Sequence, residues 1–305
     1  MTCEAILVTG APRSGTTPLG NLLSTIPGAF ELYEPMGPTG DRRFTTRFPI
    51  PGEPGFSKQQ LSDFVGDLQI PRLRFKSQRR DDHKGLSGWA ARILGTRSLM
   101  TYRRARWTRD RKLLIWKDPH AIFCVPALAR SGVQAVVSIR SPQAHAASFK
   151  RLGWVSSLDE IYWRYRDSFG GSSMIEHWMD RIGDTPWGSA TLLWHLVHTT
   201  IVQMPDADLK STILFNLERA AADEIEAYED LFQSLGHEFP FEARQRLESR
   251  LAKKEQANVP AAGKVHDFER TAYQANSYWR DLLNEKELQI INEINANLWS
   301  RLKEL

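Results

Sequence analysis

The stretch Ile6-Leu7-Val8-Thr9-Gly10-Ala11-Pro12-Arg13-Ser14-Gly15-Thr16-Thr17-Pro18 runs from an apolar segment into a glycine-bearing turn and then into a helix start. Gly10 and Gly15 stand at the spacing of the phosphate-binding pattern G-x-x-x-x-G-K-[ST], and Thr17 fills its last position. Thr16 stands where the lysine belongs. A strand-to-helix turn of this kind points backbone N–H groups and the helix dipole at an anion. The cation of the loop is Arg13, whose planar fork suits a tetrahedral oxyanion. The lysine-plus-magnesium arrangement that holds a nucleoside triphosphate is missing. The loop therefore reads as the seat of a less charged phosphate, with no metal.

Working outward, Ala5–Thr9 is the first strand, and Pro18 sits in the first turn of the helix after it, where a missing N–H costs nothing. Leu19, Leu22, Leu23 and Ile26 follow at helical spacing until Pro27-Gly28 ends the run. Ala29–Tyr33, Leu113–Trp116, Ala135–Ile139 and Ile213–Phe215 read as further strands. Ile122–Ala129, Gln143–Leu152 and Trp187–Met204 read as helices, as do segments near 223–235 and 241–256. Leu288, Ile291, Ile294, Leu298 and Leu302 mark a last helix, and Trp194 and Trp279 fall in helical patterns as core residues. Apolar strands alternating with helices imply an α/β fold with a parallel sheet covered on both sides. The pattern predicts one domain over residues 1–305, with loops and short helices inserted at about 36–111 above the sheet. Within the insert, "GWAARILGTRSLMTYRRARW" predicts a basic amphipathic helix.

The formal net charge of +4 is unevenly spread. Residues 41–112 hold 18 Lys/Arg against 7 Asp/Glu, a net of +11, and the rest of the chain is net −7. Such a block points to an anionic partner, a charged glycan or a phospholipid surface. Nucleic acid is not expected, because no recognition motif accompanies the charge. Cys3 and Cys124 offer neither a disulfide framework nor metal spacing, which fits a reducing, cytoplasmic setting. No basic leader and no apolar run of about 18 residues is present, so neither a signal peptide nor a membrane span is expected.

Two more strands end on cations. "AVVSI" ends at Arg140 with Ser148 eight residues on, and "LLIW" ends at Lys117-Asp118-Pro119-His120. Ligands of such sheets lie beyond the carboxyl ends of the strands, so these residues and the loop face one site. "GAPRSGTT" resembles the 5′-phosphosulfate loop of sulfotransferases that use 3′-phosphoadenosine 5′-phosphosulfate (PAPS). The Arg140-to-Ser148 interval resembles their 3′-phosphate signature, and "FELYEP" the segment after the second strand of the carbohydrate sulfotransferases. "WKDPHAIF", "IRSPQAHAASFKRLGW" and "SYWRDLLNEKELQIINEI" are similar to bacterial members.

The resemblance implies a phosphate-loop-like three-layer fold and in-line sulfonyl transfer to a hydroxyl, with no metal. It assigns the 5′-phosphosulfate to Arg13, Gly15, Thr16 and Thr17, with Ser14 beside them, and the 3′-phosphate to Arg140 and Ser148, with Lys264 as a third contact. Lys117 faces the sulfonyl oxygens. Glu34 is the expected base, with a pKa raised by its apolar neighbours Tyr33, Pro35 and Met36; His120 is the rival base. The chain departs from the cytosolic branch at Arg13, Pro18 and Pro119, which leaves the adenine-stacking residue unassigned. The expected acceptor is an anionic or lipid-linked saccharide, with peripheral membrane contact through the insert. The alternatives are a small phenol or alcohol as acceptor, a metal-dependent kinase using Asp118, or a non-catalytic binder of acidic glycans.

Overall fold

A computed structural model of the chain describes residues 3–76, 96–252 and 270–305. Five strands, β1 (Glu4–Thr9), β2 (Ala29–Tyr33), β3 (Leu113–Lys117), β4 (Gln134–Ile139) and β5 (Thr212–Asn216), form one parallel sheet in the order β2-β3-β1-β4-β5. The chain leaves central β1 toward β2, returns through β3, then crosses to β4 and β5. The direction of winding thus reverses at the end of β1, where Gly10–Gly15 lies.

Side chains alternate across each strand and feed two cores. Leu7, Leu32, Trp116 and Val137 face one side, where they meet the helices Leu158–Phe169, Pro186–Val202 and Glu285–Glu304. Ile6, Val8, Ile115 and Val136 face the other, against the helices Thr16–Leu23, Glu224–Ser234 and Phe241–Ala252. This is the three-layer α/β architecture expected from the sequence. The insert shares the first of these cores: Phe44, Phe48, Phe64, Leu68 and Tyr102 pack with the sheet residues.

Some elements differ from expectation. The run 122–129 is a 3₁₀ turn, Pro119–Cys124, followed by a short helix, Val125–Arg130. Pro126 lacks the N–H that a continuous helix would need to bond residue 122. The helices Leu158–Phe169 and Ser173–Ile182 were not anticipated. The helix after residue 241 is described to Ala252, and both Lys264 and the first half of the anticipated basic helix lie outside the described residues. No helix among the described residues is long and apolar enough to cross a membrane.

Candidate active site

The carboxyl ends of the strands floor a cleft of about 660 Å³. Arg13, Gly15, Thr16 and Thr17 line it from the β1 loop, Glu34 from the end of β2, Lys117 from β3 and Arg140 from β4. Arg13 (φ 74°), Glu34 (φ 47°) and Phe48 (φ 52°) are the non-glycine residues with left-handed backbone among those described, and all three line the cleft. Strain of this kind persists only where the surroundings impose it, and it gathers at functional sites.

The loop needs its glycines. Gly10 has φ 146°, and a Cβ there would stand 2.4 Å from the Ser138 carbonyl oxygen. Gly15 is left-handed and is the N-cap of the helix Thr16–Leu23, where it makes no side-chain cap. The first N–H groups of that helix thus get no partner from its N-cap residue, and Thr16 and Thr17 of its first turn line the cleft. Ser14 is turned beneath the loop: it is buried, its carbonyl accepts from Ser138 Oγ, and it is not part of the cleft wall.

Arg13 Nε donates to Ser148 Oγ at 3.2 Å. Burial, reinforced by the positive Arg140 and Arg151, lowers its pKa to about 10. Like charges are collected here, as an anion site requires. Arg140 is buried and serves the chain as well as the cleft. Its Nε donates to Asn276 Oδ1 (3.1 Å), Nη1 to the Arg13 carbonyl (2.9 Å) and Nη2 to the Ala275 carbonyl. Trp194, fully buried as expected, donates its indole N–H to the Arg140 carbonyl at 2.8 Å. Ser148 is fully buried behind this group and is not on the cleft wall.

Sequence reading missed Tyr278, which joins Arg140 to Ser148. Burial raises the Tyr278 phenol, but Arg140, Ser148 and Arg13 outweigh it and bring the pKa down to about 8. Arg151 and Arg270 were also missed, and both line the cleft. Arg151 had a signal, since it lies three residues after Ser148 on one helix and hence on a neighbouring face. Tyr278 and Arg270 come from the C-terminal part and carried no local sign of the site.

At the other end of the cleft, Lys117 Nζ meets Glu34 Oε1 at 2.6 Å and lies 4.2 Å from the Tyr33 ring centroid. The expected rise in the Glu34 pKa is not found. Burial does push it up, but the charge and hydrogen bond of Lys117, with His120 and Tyr33, hold it below the usual carboxylate range. Lys117 is buried, which lowers its own pKa despite Glu34. His120 packs on Phe48 with centroids 4.9 Å apart, and burial lowers its pKa to about 4. It is thus a neutral, packed imidazole.

Asp118 is fully buried. Its Oδ2 accepts from the Met36 N–H (2.6 Å) and its Oδ1 from the His120 N–H (3.0 Å). No cluster of three or more metal-ligating side chains occurs among the described residues.

No protein-family model matches the chain, and no curated protein matches it. The chain is similar to solved sulfotransferases. One is the sulfotransferase domain of the Synechococcus PCC 7002 olefin synthase, at 16% identity over 95% of this chain and 93% of that one, with a TM-score of 0.43. A sulfotransferase from Alicyclobacillus acidocaldarius is 14% identical over 100% and 96%, with a TM-score of 0.45. A mouse sulfotransferase solved with PAP is 13% identical over 100% and 88%, with a TM-score of 0.47. The chemistry of the cleft rests on its own residues.

Proposed function

We propose that the protein is a sulfotransferase that moves a sulfonyl group from PAPS to a hydroxyl of an anionic or lipid-linked saccharide. The observation that carries this reading is the contact of Glu34 with Lys117 in the same cleft as the uncapped, arginine-bearing loop. A base, a cation and an anion seat share one space there.

The residues fit the donor. Thr16, Thr17 and Arg13 would hold the 5′-phosphosulfate; Arg140, supported by Ser148 and Tyr278, would hold the 3′-phosphate. Glu34, ionised at neutral pH, accepts the proton of the acceptor hydroxyl. The acceptor oxygen bonds to sulfur as the sulfur–oxygen bond to the 5′-phosphate breaks. Lys117 offsets charge on the sulfonyl oxygens, and Arg13 with the loop N–H groups takes the charge of the departing phosphate. His120 is already neutral, and with a pKa near 4 it is no stronger a base than a carboxylate.

A kinase reading fits less well, because Thr16 replaces the phosphate-loop lysine and Asp118 is committed to two backbone N–H groups. The test is a thermal-shift assay without magnesium. 3′-Phosphoadenosine 5′-phosphate should raise the melting temperature and ATP should not, and sulfonyl transfer should persist in excess EDTA. Stabilisation by Mg-ATP alone would replace this reading with the kinase one.

For the acceptor, a second hollow lined by Arg42, Thr45, Thr46, Arg47 and Lys76 supports a negatively charged molecule; it shares Pro38 and Arg47 with the cleft. Arg47 and Lys76 also act on His120 electrostatically, so their charge reaches the catalytic end. Phe48, Phe149, Trp154, Ile161 and Leu193 on the cleft wall favour a second reading, a small phenol or alcohol. Acceptor profiling at 0.1 M and 1 M salt separates them, since the Debye length shortens from about 10 Å to about 3 Å. An acidic saccharide should lose affinity steeply; a phenol should not.

A further inference from the structure

The helix Arg97–Trp107 covers the β2 edge of the sheet. Its inner face is buried through Ser98, Tyr102 and Ala105. Its outer face carries Met100, Arg103, Arg104 and Trp107, which stand at the i, i+3, i+4, i+7 spacing of one side of a helix. Met100 is 47% exposed and Trp107 86%, the latter the most exposed large hydrophobic side chain among the described residues. Arg106, Arg109 and Lys112 are exposed beside them. Between residues 97 and 112 the chain holds seven Lys/Arg and a single acid, Asp110, which pairs with Lys112 at 3.3 Å. An isolated surface apolar residue needs no explanation, but a tryptophan and a methionine on one stripe, set among arginines, do.

We propose that this outer face docks the protein flat on an anionic lipid bilayer, with Met100 and Trp107 at the headgroup–acyl boundary and the arginines on the lipid phosphates. Basic helices bearing exposed aromatic and apolar side chains lie in the interface in this way, and each Lys or Arg near such a surface adds attraction to anionic lipid. A polyanion such as a glycan or RNA would use the arginines but give Met100 no partner. The orientation suits the cleft. Tyr33 N–H donates to Thr101 Oγ1 at 3.1 Å, and the Arg97 guanidinium lies 4.0 Å from the Tyr33 ring centroid. The first turn of the helix thus stands at the cleft rim beside Glu34, and the helix runs on from there for roughly 16 Å at 1.5 Å per residue. Docking does not depend on sulfonyl transfer. Its use, bringing the cleft to a lipid-linked acceptor, rests on the function proposed above.

The test is sedimentation of the full chain with large vesicles, either pure phosphatidylcholine or 70:30 phosphatidylcholine:phosphatidylglycerol. Binding is expected to the anionic vesicles and to fall at least tenfold on the neutral ones. The Arg103→Glu/Arg104→Glu variant should lose binding by about tenfold or more. Trp107→Ala should lose several-fold, and the quenching of tryptophan fluorescence by brominated lipid should drop with it. Binding of 3′-phosphoadenosine 5′-phosphate should be unchanged in both variants, which shows that they fold and separates this outcome from failure of the proposed function. Equal binding to both vesicles, binding unaffected by the variants, or capture by heparin or RNA with no vesicle binding would each overturn the proposal.

Discussion

Glu34 combines a left-handed backbone with a carboxylate held on Lys117, and both follow from its place just past β2. Glu34→Gln keeps the shape and removes the proton acceptor, so turnover should fall about 10²–10⁴-fold while affinity for 3′-phosphoadenosine 5′-phosphate stays near wild type. His120→Ala should be much milder; a dead His120→Ala beside an active Glu34→Gln would reverse the assignment. Because Lys117 holds the Glu34 pKa below its ordinary value, the base form is present throughout the neutral range. Nothing from Glu34, or from His120 at about 4, should then produce an acid limb between pH 5 and 8 in kcat/KM. Tyr278 sets the alkaline side. Its phenol is neutral below its pKa of about 8 and an anion above it, next to the cations assigned to the 3′-phosphate. Nucleotide affinity should therefore weaken as pH rises through 8, and Tyr278→Phe should abolish that dependence. Isothermal titration at pH 7 and pH 9 checks both statements.

The proposed catalytic end is held by the turn from residue 34 to 41, which several contacts tie down. Glu34 N–H donates to the Lys117 carbonyl (2.7 Å), Asp41 N–H to the Pro35 carbonyl (2.7 Å), and Met36 N–H to Asp118. Arg164 supports the neighbouring strained segment by donating to the Arg47 and Phe48 carbonyls. Asp118 thus acts as a positioning residue: Asp118→Asn replaces one of its two acceptor oxygens with a donor and should lower kcat more than it changes nucleotide affinity. The proposed nucleotide end is tied differently, through Arg140, which joins the β1 loop to the helix Ala272–Ser277. Removing it breaks charged hydrogen bonds as well as the proposed contact with the 3′-phosphate. Arg140→Ala should therefore cost stability on the order of 3 kcal/mol in urea unfolding, besides a roughly tenfold to hundredfold loss of nucleotide affinity. Lost affinity with unchanged stability would show that the clasp contributes nothing to folding.

At the scale of the whole molecule, the fully buried His145 and His198 make stability depend on pH. Burial lowers the pKa of His145 and of His198 to about 3, from the ordinary 6.5 of an imidazole. Below pH 6.5 the unfolded chain takes up protons that the folded chain refuses, so their contribution is complete above 6.5 and is lost as pH falls toward 3. By pH 5 each should cost about 2 kcal/mol. His120, lowered to about 4, acts in the same direction, and Asp118, which burial raises to about 7, acts in the opposite one. The urea midpoint should fall between pH 7 and pH 5, and His145→Gln/His198→Gln should flatten that fall. Both lie beside the site: His198 Nδ1 bonds the Trp194 carbonyl at 2.7 Å, and Trp194 holds Arg140. Acid should accordingly loosen the nucleotide end first.

The order of elements along β1, α-helix and β2, the phosphate-loop spacing from Gly10 to Thr17, and the cations closing β3 and β4 are local patterns, and the sequence alone determined them. Strand and helix periods are written in neighbouring residues, and a parallel sheet gathers its strand ends on one side whatever lies between. What local pattern could not carry was decided by tertiary structure. The Lys117–Glu34 contact joins residues 83 positions apart, and it reversed the direction of the Glu34 pKa. Tyr278 and Arg270 arrive from the end of the chain, Ser14 turns under the loop, and Asp118 is spent on backbone N–H groups. The physical reason is the same in each case: a side chain's charge state and role depend on partners brought by packing, and sequence distance says little about which partners those are.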